Sequence, residues 1–170
     1  SDNKRKHSGQ GTFRLAYQPD ELNPSQFGAF INIDRINARD AKLKYVDQLV
    51  TGLFAHMDWN NARITTAGYY VDDRLKEIDR THSSGFLAAY LHAEYELGFK
   101  WTGYARVERT AGGQHDEYME YFGDPNLERN LVGIRFDITR RQAISSEISQ
   151  RLNEHDSHTH ISLQWSAVFP

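Results

Sequence analysis

Charged side chains recur at every second position within stretches whose alternate positions are apolar. Glu94 lies in 86–97, Arg106 and Glu108 follow Tyr104, Arg135 and Asp137 interleave with Ile134 and Phe136, and Glu147 and Arg151 fall in 144–152. Residues i and i+2 of a strand share a face, so this spacing gathers both signs of charge on one side of a sheet. Around a water-filled lumen such charges set the field felt by a passing ion. The mixture of Arg106, Arg135 and Arg151 with Glu94, Glu108, Asp137 and Glu147 predicts weak selectivity. In a narrow interior filled by its own side chains, the same groups form a structural salt-bridge network.

Other constellations are weaker. His155, Asp156, His158 and His160 carry imidazole and carboxylate donors that suit zinc, nickel or copper, and His158 and His160 share a face if a strand begins there. No spaced fourth ligand accompanies them, so a polar hairpin tip is the plainer reading and no metal or other cofactor is expected. Asp79, His82, Ser83 and Ser84 lie close enough in sequence for a Ser/His/Asp group. G-x-S-x-G, H-E-x-x-H and Gly-rich phosphate loops are absent, and the chain is not expected to be an enzyme. Zero cysteines exclude a disulfide framework, a cysteine-bound metal and a thiol nucleophile. A net charge of −3 gives no bulk attraction for nucleic acid. The acidic, aromatic stretch 114–129 is expected as an exposed or inward-folding loop, and Lys4-Arg5-Lys6-His7 as a solvated tail.

These groups must be positioned by strands. A length of 170 residues fits one domain. Mean hydropathy is −0.70 and no apolar run approaches the roughly 20 residues of a spanning helix. The hydrophobic period is two. Leu87, Ala89, Leu91, Ala93, Tyr95 and Leu97 alternate with Phe86, Ala88, Tyr90, His92, Glu94 and Glu96. The same alternation runs through 132–139 and 161–169, and more weakly through 27–33, 49–59, 64–70, 101–107 and 144–152. That predicts eight strands, long beside the usual five or six residues, with only 40–50 able to form a turn or two of helix. Residues 12–17 are a ninth strand or a periplasmic or plugging extension. The division expected is therefore 1–25 as extension or partial first strand and 26–170 as barrel.

Connections at 60–61, 98–100 and 140–142 are tight, whereas 37–44, 72–84, 111–129 and 153–158 are longer and polar. In a meander this alternation puts tight turns on one rim and long loops on the other, as in outer-membrane β-barrels. Strands of bilayer-crossing length and Trp59, Trp101, Trp165, Tyr95 and Phe169 near the rims support an all-β, antiparallel transmembrane barrel. A soluble ligand-carrying barrel would show the same period with the faces exchanged.

The segment from Gly85 to Phe169 resembles the C-terminal strands of bacterial outer-membrane porin-like proteins. The resemblance is carried by Ala89-Tyr90-Leu91-His92-Ala93-Glu94-Tyr95, by Trp101 to Glu108, by Leu131-Val132-Gly133-Ile134-Arg135-Phe136-Asp137 and by the closing Leu163-Gln164-Trp165-Ser166-Ala167-Val168-Phe169. It covers about half the chain. It implies a bacterial outer-membrane location, contact with outer-membrane lipid and lipopolysaccharide, and a terminal aromatic read by the barrel-assembly machinery; Pro170 after Phe169 departs from that ending. Homo-oligomers are common in the family. Passive diffusion of small hydrophilic solutes is the expected function. The alternative is a small closed barrel with a structural, adhesive or receptor role through its loops. Porin-like members are longer and wider, so the chain is either a small barrel of about 8–9 strands or the C-terminal part of a larger one, and lumen width follows from that number.

Overall fold

The computed structural model describes residues 9–37, 43–113, 127–153 and 156–168. The alternation condenses into nine strands: β1 (Gly11–Tyr17), β2 (Gln26–Asn37), β3 (Leu43–Trp59), β4 (Ala62–Glu77), β5 (Thr81–Gly98), β6 (Trp101–Ala111), β7 (Glu128–Thr139), β8 (Gln142–Leu152) and β9 (Ser157–Ala167). Each pairs antiparallel with its successor in one sheet ordered β1 to β9. The fold is all-β, with no α-helix among the described residues.

Turn chemistry fixes one rim. Asn60, with φ of 40°, supplies the left-handed residue that a two-residue hairpin requires. Gly98, Phe99 and Lys100 all have positive φ in the β5–β6 turn. Each turn is tied to the following hairpin: Glu96 N donates to Asn61 O (2.8 Å), Asp137 N to Lys100 O (2.9 Å) and Val168 N to Arg141 O (2.9 Å). Trp59, Tyr95, Trp101 and Trp165 are exposed along this rim, and Trp101 packs on Phe136 with ring centroids 4.7 Å apart.

Of the two alternatives for residues 12–17, the strand is found: they fall in β1, which pairs with β2 from Gly11↔Ile33 to Tyr17↔Phe27. Other expectations are corrected. No helical turn occupies the described part of 40–50. Val46 and Val50 are four apart, which fits a strand face as well as a helix face, and they pair with Leu75 and Val71. The stretch 72–84 is mostly strand, with β4 and β5 joined across 78–80. Its charges hid the strand because polarity stops alternating where the outward apolar band ends. Strict alternation of long and short connections therefore fails at 78–80, and also at 18–25, an eight-residue link on the tight-turn rim. The loop 114–126, Phe169, Pro170, His155 and Lys4-Arg5-Lys6-His7 lie outside the described residues.

The two faces differ sharply. Leu91, Ile134 and Leu163 face outward and are 46%, 41% and 78% exposed. Phe13, Leu15, Leu53, Leu87, Val132, Ile148 and Ile161 join them on that side. The buried residues Val46, Val71, Asp73, Leu75, Ala88, Leu131, Ala143 and Ser149 all lie on the other. Burial on one side of a single sheet means that it curls, with the charged side inward. A soluble carrier requires the reverse. In a meander β1 and β9, both odd in order, run in the same direction, and they do not pair with each other.

The outward apolar band is oblique to the cross-strand rows. Its last residue away from the tight-turn rim is Ile33 on β2 and Leu49 on β3, which share a row. Tyr70 and Leu87 stand in the row of Thr51, Val107 in that of Ala55, and Val132, Ile148 and Ile161 in that of Met57. The border thus moves from the row of residue 49 to that of residue 57, about one residue per strand. Tilted, staggered barrel strands produce such a drift. Beyond the border Arg35, Asp47 and Arg74 share an outward row. Arg35 Nη2 donates to Asp47 Oδ2 at 2.8 Å, and this bond holds the Asp47 carboxyl below the usual aspartate range against the opposing effect of burial.

Candidate functional site

The inward face is the site. Strand alternation and register bring Glu94, Arg106, Glu108, Arg135, Asp137, Glu147 and Arg151 onto it together. Arg63 and Arg129 join them there, although sequence spacing did not single them out. Arg63 is the second residue of β4, after a two-residue turn, and Arg129 the second of β7, so each sits where a strand boundary masks the period. Extending the alternation two residues before Thr65 and Leu131 is the signal that finds them.

The ionic groups form a ladder across strands. Arg63 Nε lies 3.3 Å from Asp58 Oδ2 and its Nη1 3.1 Å from Glu94 Oε2. Glu94 Oε1 is 2.9 Å from His92 Nε2, and His56 Nδ1 is 3.0 Å from Thr65 Oγ1. Further along, Arg106 Nε is 2.6 Å from Glu108, while Arg129 reaches Glu108 at 4.0 Å and Glu147 at 3.6 Å. Arg135 Nη2 pairs with Asp137 at 2.7 Å. These side chains are half-buried, so the ladder forms a wall open on one side. A concavity of about 360 Å³ opens among Arg63, His92, Glu94, Tyr104, Arg135 and Asp137.

Aromatic rings lie against this wall instead of projecting from it. Phe30 faces Gly52, Phe54 faces Gly28 and Tyr104 faces Gly133 as direct cross-strand partners. A β-carbon would fall 2.6 Å from Phe30 Cζ at Gly52 and 2.9 Å from Phe54 Cζ at Gly28. Each ring therefore occupies the recess that glycine leaves. Guanidinium groups cover two inward rings, Arg14 on Phe54 at 4.4 Å and Arg106 on Tyr90 at 4.5 Å. The pairing is invisible without the register.

The remaining candidates are separated by the fold. His82 and Ser84 face inward opposite Leu75 and Asp73, whereas Ser83 faces outward opposite Arg74, with its Oγ 3.4 Å from Asp72. Asp79 lies in the exposed link between β4 and β5. His158 and His160 face inward on β9, opposite Arg151 and Ser149, and Asp156 is exposed in the preceding turn. Among the described residues no three histidine or acidic side chains converge to hold a metal ion.

No family model matches the chain, and no curated protein matches it. Among solved structures it is similar to one titled "CymD monoaromatic hydrocarbon channel", with a TM-score of 0.53 and 11% identity over 94% of this chain and 51% of that one. The chain thus spans about half the length of that channel, and the likeness is one of fold: an all-β, antiparallel barrel-type sheet.

Proposed function

We propose that this chain forms part of the wall of a bacterial outer-membrane channel through which small hydrophilic solutes diffuse passively. The observation that carries the reading is the division of one sheet into an outward face of exposed apolar side chains and an inward face of half-buried ion pairs. Lipid satisfies the first and water the second. The glycine recesses keep bulky rings flat, which favours an open lumen over a filled one. The fold likeness to a solved channel supports a channel role, and the charge of the inward face favours polar solutes over hydrocarbons. Among the described residues the nine strands leave β1 and β9 running the same way and unpaired with each other, which favours a wall that further strands complete over a barrel closed by these nine alone.

Passive diffusion needs no catalytic residue and no cofactor. Outer-membrane lipid and lipopolysaccharide are the surroundings this role implies. The test is the full-length protein reconstituted in planar lipid bilayers, after heat-modifiable gel mobility has established that it is folded. Stepwise conductance is expected; folded, inserted protein that never conducts sinks the proposal.

A further inference from the structure

The inward charges are not evenly mixed. On the tight-turn side each cation has its acid: Arg63 lies between Asp58 and Glu94, and Arg135 pairs with Asp137. Further up the wall, one cross-strand row reads Glu108, Arg129, Arg151, His158. Directly opposed like charges destabilise a sheet, so this row costs stability unless something negative joins it. The nearby carboxylates are already committed, Glu108 to Arg106 and Arg129, and Glu147 to Arg129. Among the described residues none pairs with Arg151, and Asp156 stands in the turn with no ion pair to either histidine. Arg151, His158 and His160 are all exposed. They sit beyond Ile148 and Ile161, after which the outward positions of β8 and β9 are polar except for Leu152 at the very end of β8, and hence at the long-loop mouth of the lumen.

We infer that this inward patch is an entry site for oxyanions, in which Arg151 anchors a carboxylate- or phosphate-bearing solute and His158 and His160 contribute adjoining donors. A guanidinium fork matches the two oxygens of such groups, and bonds between ionised partners are the strong ones. At a pore mouth the same charge raises the local concentration of anions and their rate of entry. The role in permeation rests on the channel reading; the binding site itself does not.

Two measurements separate them. The first titrates inorganic phosphate into the detergent-solubilised full chain, following the ring resonances of His158 and His160. Saturable shifts are expected in the wild type, with affinity falling about tenfold or more in Arg151→Gln. No saturation, or equal affinity in the variant, overturns the site whether or not the protein conducts. The second is the reversal potential in a KCl gradient. Anion preference that Arg151→Glu weakens or inverts supports the inference. Conductance with a reversal potential indifferent to residue 151 overturns the anion role and leaves the channel standing. Absence of conductance removes the channel reading alone.

Discussion

Tyr104 lies across Gly133 so closely that a β-carbon on the glycine would come within 2.2 Å of the ring's Cζ. The two are direct cross-strand partners, and the phenol is thereby laid beside Ser145 and Glu147. The wall stays smooth at this point because a residue of no width faces one of great width. Gly133→Ala is expected to tip the ring inward and cost about 1–3 kcal/mol through overpacking. The penalty should largely vanish when Tyr104→Ala is combined with it. Unfolding midpoints of the two single variants and the double variant measure the coupling, and a penalty that survives loss of the ring assigns the effect to the backbone.

Arg63 holds Asp58 and Glu94 with one guanidinium. Removing a partner from a fully buried pair is severe, but Arg63 is 48% exposed, so water screens what remains and about 1 kcal/mol or less is the expected loss of stability. The larger effect of Arg63→Gln is on the local field, since two carboxylates are left facing the lumen. Cation preference should rise in the reconstituted protein. A reversal potential identical to that of the wild type would show that the concavity beside Arg63 lies off the conducting path.

The fold class was legible because period two is written into the strands wherever one face is apolar. From Leu87 to Leu97 every odd residue but Tyr95 is aliphatic, and the strand follows. Legibility ended where the apolar band ends. Asp72, Asp73, Arg74, Lys76 and Glu77 look like a loop in sequence, yet β4 continues through them, paired with β5 as far as Lys76, because backbone hydrogen bonds do not depend on what bathes the side chains. The inward set was half legible. Glu94 and Arg135 announce a face by spacing, but their partners follow from register, which no single strand encodes. Phe30 meeting Gly52 is likewise a fact about two strands.

Asp47 sits outside the apolar band, bonded to Arg35. Its carboxyl is held low chiefly by that hydrogen bond. A depressed folded-state value means that the stabilising contribution is present above the ordinary aspartate range, near about 3.9, and is lost as pH falls through the folded value. Arg35→Gln should therefore raise the titration midpoint of the Asp47 carboxyl carbon, followed by NMR. An unchanged midpoint means that Arg35 does not hold the carboxyl in solution.

Leu91 and Gln150 belong to one cross-strand row, running Leu91, Val107, Asn130, Gln150, and both face outward. If rows ran parallel to the membrane, the two positions would lie at one depth. The drift of the apolar border puts Leu91 within the band of β5 and Gln150 beyond Ile148, at the margin of the band on β8. An arginine costs about 2–4 kcal/mol at the bilayer midplane of a β-barrel and about 0–1 near the interface. Leu91→Arg is thus expected to cost several times more than Gln150→Arg when both are unfolded from lipid vesicles by denaturant, with tryptophan fluorescence as the readout. Equal penalties would place the strands upright, and two negligible penalties would mean that this face never touches lipid.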